Sequence, residues 1–289
     1  MRPKFIIFNL LLIITLSSCR QKEITSDMNI IYLHHSTGEI LWRGTTPSII
    51  TRAARRISPQ LANIVDKKPR LAKLFEEYNK EHNKNYQIKE RVFPKASPYG
   101  WNNFPYDYYN IWVKNAGVQP FMEEPTLEIL TKEYQVVIFK HCFPGSNIKP
   151  DQDSAYINSD LKTISNYKLQ YGALRDKLHE FPKIKFILFT GAIQVRSNIS
   201  EAEALRAKEF FAWVINEWDL PEDNIYLWDL YSLQTEGGLY FRDEYAASLS
   251  NSHPNSLFAG KTVTLLFNRI IDIIENNGNG TQLTGGKKI

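Results

Sequence analysis

The sequence predicts an α/β protein in which a parallel sheet lies between two layers of helices. Four short runs of consecutive apolar residues, 30–33, 136–139, 186–189 and 225–228, are typical of strands buried on both faces. Helical patterns separate these runs, and strands that alternate with helices form a parallel sheet with right-handed crossovers. The segment 86–93 alternates apolar and polar residues, which favours an edge strand.

Caps and apolar stripes indicate where the helices lie. Thr46 followed by Pro47 predicts one helix start, and Pro69 predicts another, because proline suits the first turn of a helix. Ser200 and Glu203 have the spacing of a capping box. Further helical patterns occupy residues 123–134, 153–181, 200–218 and 256–275.

The start of the chain has the composition of a secretion signal. Basic residues open it, the apolar run 5–14 follows, and this run is too short to cross a bilayer as a permanent helix. Leu-Ser-Ser-Cys at 16–19 resembles the bacterial lipobox, which implies cleavage after residue 18 and a lipid on Cys19. A signal peptide with an incidental cysteine is the alternative.

The lipobox resemblance also implies an address. Residues 19–28 become a lipidated tether to the membrane, and Arg20 in place of aspartate favours the bacterial outer membrane, with the domain facing the periplasm or the cell surface. With Cys19 lipidated, Cys142 has no partner, so a hydrophobic core must supply the stability that disulfides give other secreted proteins.

Composition and chain organisation limit the remaining possibilities. The 35 basic and 31 acidic residues give a net charge of +4, which excludes the strongly basic footprint of a nucleic-acid-binding protein. We predict a single domain over 29–276. Asn-Asn-Gly-Asn-Gly at 276–280 ends the last helix, and we predict a disordered tail over 277–289.

Polar residues after the apolar runs are the candidates for chemistry, because ligands of a parallel sheet bind beyond the carboxyl ends of its strands. Ser36 follows the first run, and His253 precedes the last helix in Ser-His-Pro-Asn. A histidine that accepts the proton of a serine hydroxyl makes that serine a nucleophile. A turn or helix cap is the alternative for Ser36, and a surface loop is the alternative for His253.

This arrangement resembles the SGNH (GDSL-like) hydrolases, whose nucleophilic serine follows the first strand and whose base histidine precedes the last helix. The resemblance implies a three-layer α/β/α sandwich of flavodoxin-like, SGNH-hydrolase type that needs no cofactor. Asn-Ala-Gly at 115–117 is similar to the second block of the family, which implies that Gly117 donates its amide to the oxyanion. Asn147 is the candidate side-chain donor.

The third member of the triad departs from the family pattern. Ser250 stands three residues before His253, where the family has its acid. Asp243 is the candidate that replaces it, and Asp229 or a backbone carbonyl are the alternatives.

An aromatic segment is the candidate for substrate binding. Seven aromatic residues lie within 99–112, and the glycine, proline and asparagines among them disfavour a regular helix. Trp101, Tyr106 and Tyr109 are the candidates for a pocket wall that holds a sugar ring, and packing as core is the alternative.

Two further clusters carry competing interpretations. His34 and His35 are adjacent on an extended chain and point to opposite faces, so we predict no metal site. Cys142 beside His141 is either a second candidate nucleophile or a small buried hydrophobic residue, and we favour the second interpretation.

The sequence therefore predicts a serine esterase that acts on acylated glycans or related small esters at the bacterial cell envelope. A non-catalytic glycan-binding lipoprotein is the first alternative. A structural envelope protein that uses the domain only to contact partners is the second.

Overall fold

A five-stranded parallel sheet with the order β2-β1-β3-β4-β5 forms the centre of the protein. We describe it from a computed structural model that covers residues 27–48, 68–152 and 154–288, together with residues 53 and 57. The strands are β1 (Asp27–His34), β2 (Asn85–Val92), β3 (Val136–Phe139), β4 (Lys185–Phe189) and β5 (Ile225–Trp228). The predicted flavodoxin-like sheet, with residues 86–93 at its edge, is confirmed.

Helices cover both faces of the sheet. They are α1 (Ser36–Arg43), α2 (Arg70–His82), α3 (Pro105–Tyr108), α4 (Leu127–Glu133), α5 (Ile164–His179), α6 (Glu201–Trp213), α7 (Leu230–Thr235) and α8 (Ser256–Asn276). Helices α1, α2 and α8 contact one another in one layer, and α3 and α5 contact each other in the other. This is the α/β/α sandwich that the sequence predicts.

Shorter elements complete the fold. Wide helical turns, Tyr109–Lys114 and Val214–Trp218, continue α3 and α6. A tight turn, Phe143–Ser146, follows β3. Strands β6 (Ala246–Ser248) and β7 (Asn251–Pro254) form an antiparallel hairpin just before α8, which the sequence analysis does not predict.

The core explains why the apolar runs become central strands. All four residues of β3 are fully buried, as are Phe186, Ile187 and Leu188 of β4. Each large apolar side chain buried in this way contributes roughly 1.5–3 kcal/mol to folding. A continuous apolar run is therefore the sequence signature of a strand covered on both faces.

The aromatic segment differs from its prediction as a non-helical stretch. Asp107 accepts hydrogen bonds from the backbone N–H groups of Asn102 (2.8 Å) and Asn103 (2.6 Å), which closes the turn before α3. Pro105 then occupies the first position of this helix, where its missing N–H costs nothing.

The C-terminal tail also differs from its prediction, because residues 277–288 fold back against α8 and β5. The Asp272 carboxylate accepts the backbone N–H groups of Gly280 (2.9 Å) and Thr281 (2.8 Å). The indole Nε1 of Trp228 donates to the carbonyl of Thr284 at 3.1 Å. Buried partners on α8 and β5 thus order a segment whose composition alone indicates disorder.

Several predictions lie outside the described residues: the signal 1–18, Cys19 with nearly all of its tether, most of the helix that Thr46 introduces, and Asp153. Among the helices that the structure describes, none combines the length and the apolar character needed to cross a bilayer.

Candidate active site

Ser36 opens α1 immediately after β1, at the carboxyl edge of the sheet. His35 has extended backbone angles (φ −120°, ψ −170°) and forms the N-cap, so the chain turns directly from strand into helix. The Ser36 side chain is exposed, and its backbone N–H has no partner within the helix. The serine therefore stands at a helix N-terminus, where developing negative charge is favoured.

The two histidines before Ser36 bind separate partners. Nε2 of His34 lies 2.7 Å from Oε2 of Glu90 on β2. Nε2 of His35 contacts the carbonyl of Pro94. In the described part of the chain, no group of three or more His, Cys, Asp or Glu side chains is arranged to hold a metal ion.

His253 lies on β7, and β7 contacts α1, so the fold brings this histidine to the helix that carries Ser36. Its ring meets the edge of Phe143 with the centroids 5.1 Å apart. Burial, and then the charge of Lys140, lower the pKa of His253. No hydrogen bond joins the two side chains among the described residues, which is common for catalytic pairs without substrate.

Asn251 orients the His253 ring. Its Oδ1 accepts the backbone N–H of His253 (3.1 Å) and lies 2.7 Å from Nδ1 of the imidazole. Because that oxygen accepts a hydrogen bond from an amide, Nδ1 must be the donor in the second contact. In this tautomer Nε2 carries no proton and is free to accept one.

Asp243, predicted as the third member of the triad, does not have this role. It is exposed in the turn before β6, and within the described chain it makes no hydrogen bond to His253. The alternative, Asp229, caps α7 through Ser232 N–H (3.1 Å) and accepts from the Thr190 hydroxyl (2.6 Å). Asn251 contacts the imidazole instead. Asn251 and His253 are residues i and i+2 of β7, so their side chains lie on the same face of the strand.

Gly117, predicted as an oxyanion donor, already donates its N–H to Oε2 of Glu128 at 3.1 Å. Glu128 is in turn paired with Lys177 at 2.7 Å. Lys177 lies in the last turn of α5, at the end of the helix that leads to the start of β4. This amide is therefore satisfied within the protein and lies away from Ser36. The prediction for Gly117 is wrong.

Asn147 remains a candidate donor. It follows the Phe143–Ser146 turn, which reaches the site because Phe143 contacts His253. Its Oδ1 accepts from Nε2 of Gln194 at 2.6 Å, which fixes the orientation of the amide. Its Nδ2 has no partner among the described residues, so one donor is available.

The aromatic candidates divide into two groups. Tyr109 is buried, with its hydroxyl 3.4 Å from Oδ1 of Asn158, and is therefore a packing residue rather than a pocket wall. Trp101 and Tyr106 are half-buried and keep part of their rings at the surface. The neighbouring Tyr108 and Trp112 are fully buried in the core.

His141 and Cys142 do not form a catalytic pair. Both ring nitrogens of His141 are buried and have no hydrogen-bond partner in the described part of the chain. Burial, and then the charge of Lys140, lower the pKa of His141 to about 3, so its imidazole is neutral. The Cys142 sulfur is contacted by Nζ of Lys140 at 3.7 Å instead.

Two residues of this site, Asn251 and Lys140, are not predicted from the sequence. The spacing of two between Asn251 and His253 is a usable signal once the segment is known to be extended. Lys140 directly follows the second apolar run, the position that marks a candidate by the rule applied to Ser36.

A cavity of about 910 Å³ lies elsewhere, at the amino ends of β4 and β5. Lys185, Tyr226 and Arg269 are among the residues that line it. Because Ser36 and His253 are at the other end of the molecule, this cavity is not part of the candidate site.

Comparison with family models and with curated proteins gives no match. Among solved structures, the chain is similar to a carbohydrate esterase whose active site is described as displaying divergent catalytic and non-catalytic binding functions. The identity is 11%, the TM-score is 0.38, and the alignment covers 85% of this chain and 65% of that one. At this level of similarity, fold and function rest on the geometry of this chain.

Proposed function

We propose that the protein is a serine esterase in which Ser36 is the nucleophile and His253 is the general base. The observation that carries this proposal is the hydrogen bond from His253 Nδ1 to Asn251, which leaves Nε2 free on the strand that contacts α1. A neutral, oriented imidazole within reach of a solvent-accessible serine is the minimum machinery that acyl transfer requires, and the contact between β7 and α1 supports this arrangement.

The reaction proceeds in two halves. His253 Nε2 takes the proton of the Ser36 hydroxyl while the oxygen attacks the ester carbonyl, and the tetrahedral oxyanion collapses when the leaving alcohol takes that proton from His253. Water then gives a proton to His253 and attacks the acyl-serine ester, and the second tetrahedral oxyanion collapses when the Ser36 oxygen leaves and takes that proton back from His253. The acid is released, and both Ser36 and His253 return to their starting forms.

Two donors support the oxyanion in this proposal. The backbone N–H of Ser36 at the start of α1 is one, and Nδ2 of Asn147 is the other. Loss of one such donor typically costs roughly 3–4 kcal/mol of transition-state stabilisation.

We infer an acylated carbohydrate or related small ester as substrate, bound beside Trp101 and Tyr106 at the cell envelope. The proposed lipid anchor at Cys19 sets the orientation, since β1 begins at Asp27 and ends next to Ser36. A strand of this length spans about 26 Å. The end of β1 that the proposed tether would join is therefore opposite the end that carries Ser36.

A non-catalytic glycan-binding role is the second candidate function. The observation that favours it is that His253 is oriented by a neutral amide rather than by a carboxylate. An amide does not stabilise the imidazolium that forms during proton transfer as an aspartate does.

Hydrolysis assays separate the two functions. We expect the full chain to release p-nitrophenol from p-nitrophenyl acetate and acetate from acetylated xylan, and His253→Ala to lose this activity. His179→Ala is the matched control, because His179 is bound to Asp223 (2.9 Å) beside the 910 Å³ cavity. Glycan binding that is unchanged in His253→Ala, without turnover by the parent, would establish the binding role instead.

A further inference from the structure

Lys140 is a buried lysine whose amine has no carboxylate partner in the described part of the chain. It follows β3 directly, and none of its side chain is exposed to solvent. Among the described residues no carboxylate lies within ion-pair distance, and the sulfur of Cys142, at 3.7 Å, is the polar contact of its Nζ. Its backbone carbonyl is fixed by the hydroxyl of Tyr108 at 2.7 Å.

The side chain of Lys140 runs beneath the first turn of α1. A Cβ placed on Gly38 would lie 3.0 Å from Cδ of Lys140, so the helix that begins with Ser36 rests on the lysine stem. The charge of Lys140 acts on His35, which caps this helix, and on His253, which approaches it from β7. The charge of Lys140 therefore acts both on the cap of the helix that carries Ser36 and on the candidate base.

Such a residue is costly to retain. A charge taken out of water without a partner destabilises a fold, and an apolar side chain of similar volume in its place is commonly neutral or stabilising. Methionine has nearly the same length and no charge. A buried, unpaired ionisable group at a cleft is accordingly a marker of a functional site.

We propose that Lys140 supplies the fixed positive charge of the Ser36–His253 site and acts as a positioning residue that keeps the imidazole of His253 in its proton-accepting form. The same charge favours the oxyanion that develops at Ser36. The consequence for the reaction depends on the proposed esterase function, whereas the electrostatic effect on His253 does not.

The groups that contact the His253 side chain in the described part of the chain are uncharged. Asn251 on its own strand is neutral, and Phe143 on the facing turn is apolar. Charged or titratable groups on the elements around β7 are Lys140 after β3, Cys142 beside it, His35 and the Glu39–Arg43 pair on α1, and Asp243 with the Glu244–Arg242 pair before β6. Among these groups, Lys140 is the one whose charge lowers the pKa of His253, after burial itself.

The protonation of Lys140 itself has two opposing causes. Burial lowers the pKa of its amine, and the neighbouring Cys142 sulfur raises it. The proposal requires that the amine keeps its proton at neutral pH, which is the point that the experiment decides.

The experiment is a pH titration of the histidine side chains of the full chain by ¹H–¹⁵N NMR, with His253 assigned from the His253→Gln spectrum. In Lys140→Met we expect the midpoint of His253 to rise by about one pH unit, the size expected from one nearby charge in a partly buried site. Lys162→Met is the matched control, because Lys162 is half-buried and donates to Pro144 in the same turn region. If Lys140→Met does not fold, Lys140→Gln replaces it.

A His253 midpoint that stays unchanged in Lys140→Met, or that moves equally in Lys162→Met, overturns the proposal. The titration needs no turnover, so it remains decisive even if the protein hydrolyses no ester. In an active enzyme the acid limb of the kcat/KM profile should move to higher pH in Lys140→Met by the same amount, a change that a purely structural lysine would not cause.

Discussion

The amide oxygen of Asn251 lies 2.7 Å from Nδ1 of His253 and also accepts the backbone N–H of that histidine. One side chain therefore fixes both the rotation and the tautomer of the imidazole. In the proposed mechanism this neutral amide has the position that serine hydrolases commonly give to an aspartate, an arrangement also found in Cys-His-Asn sites.

Asn251→Ala should lower kcat on p-nitrophenyl acetate on the order of 100-fold with little change in KM, because a freely rotating imidazole is a poorer general base. Asn251→Asp is the matched variant: it keeps an acceptor and adds a charge that raises the pKa of His253. We expect this variant to retain activity and to move the acid limb of its pH profile upward. Full activity in Asn251→Ala would remove Asn251 from the mechanism.

Gly38→Ala should damage the site through packing. Its new Cβ would lie 2.4 Å from Cβ of His34 and 3.0 Å from Cδ of Lys140, which is closer than side chains tolerate. We expect a loss of about 1–3 kcal/mol in the free energy of unfolding, the usual cost of overpacking, together with loss of esterase activity.

The control for Gly38→Ala is Gly172→Ala in α5, where a Cβ meets no atom within 4 Å. Alanine is the better helix former, so this variant should gain about 0.5–1 kcal/mol and keep its activity. Urea unfolding of both variants measures the contrast, and equal effects in the two variants would contradict the close packing beneath α1.

Asp272→Ala should release the C-terminal tail. The substitution leaves the N–H groups of Gly280 and Thr281 unpaired and removes the partner of the buried Arg269, whose NH1 lies 3.6 Å from the carboxylate. We expect a loss of about 3–5 kcal/mol in the free energy of unfolding, as for other broken buried pairs. Asp176→Ala, on the exposed side of α5, should change it by less than about 0.5 kcal/mol.

Asp219 should make stability depend on pH. Burial, and then the charge of Asp223, raise the pKa of Asp219 to about 7 although Arg269 opposes this, and its Oδ1 has no partner among the described residues. In the unfolded chain the carboxyl titrates near pH 4. The folded state therefore has its full stability below about pH 4, where Asp219 is protonated in both states. That part of the free energy of unfolding is lost as the pH rises through 7.

Asp219→Asn should accordingly stabilise the protein by about 1–3 kcal/mol at pH 8 and by little at pH 4. Thermal unfolding at pH 4, 6 and 8 checks this, with Asp176→Asn as the control. A difference in Tm that is the same at all three pH values would show that folding does not raise the pKa of Asp219.

The strands were predictable because a strand covered on both faces must be apolar at every position, as in Val136–Phe139. The approach of β7, which carries His253, to the helix that begins with Ser36 was predictable because strand ends converge at one edge of a parallel sheet, and the catalytic roles of the two residues stay predictions. Asn251 was not, since its role depends on a short hairpin whose residues are neither apolar nor periodic. Gly117 was misjudged because a backbone amide leaves no sign in the sequence of the carboxylate that binds it.

The order of the C-terminal tail could not be predicted from its composition either. Its glycines and asparagines indicate disorder, but Asp272 and Arg269 on α8 supply hydrogen bonds that composition does not reveal. The available signal in the sequence was that Asp272 and Arg269 are charged residues on the buried face of a helix. Which groups they bind is set by tertiary structure alone.

The proposed esterase mechanism requires Ser36 to be an activated nucleophile, and a fluorophosphonate probe reacts with such a serine. We expect mass spectrometry of the labelled full chain to place one adduct on Ser36, and labelling to disappear in Ser36→Ala and to fall strongly in His253→Ala. Ser248→Ala, in the hairpin that carries His253, should label like the parent. Absence of labelling in the parent chain, or an adduct that persists in Ser36→Ala, would contradict the account.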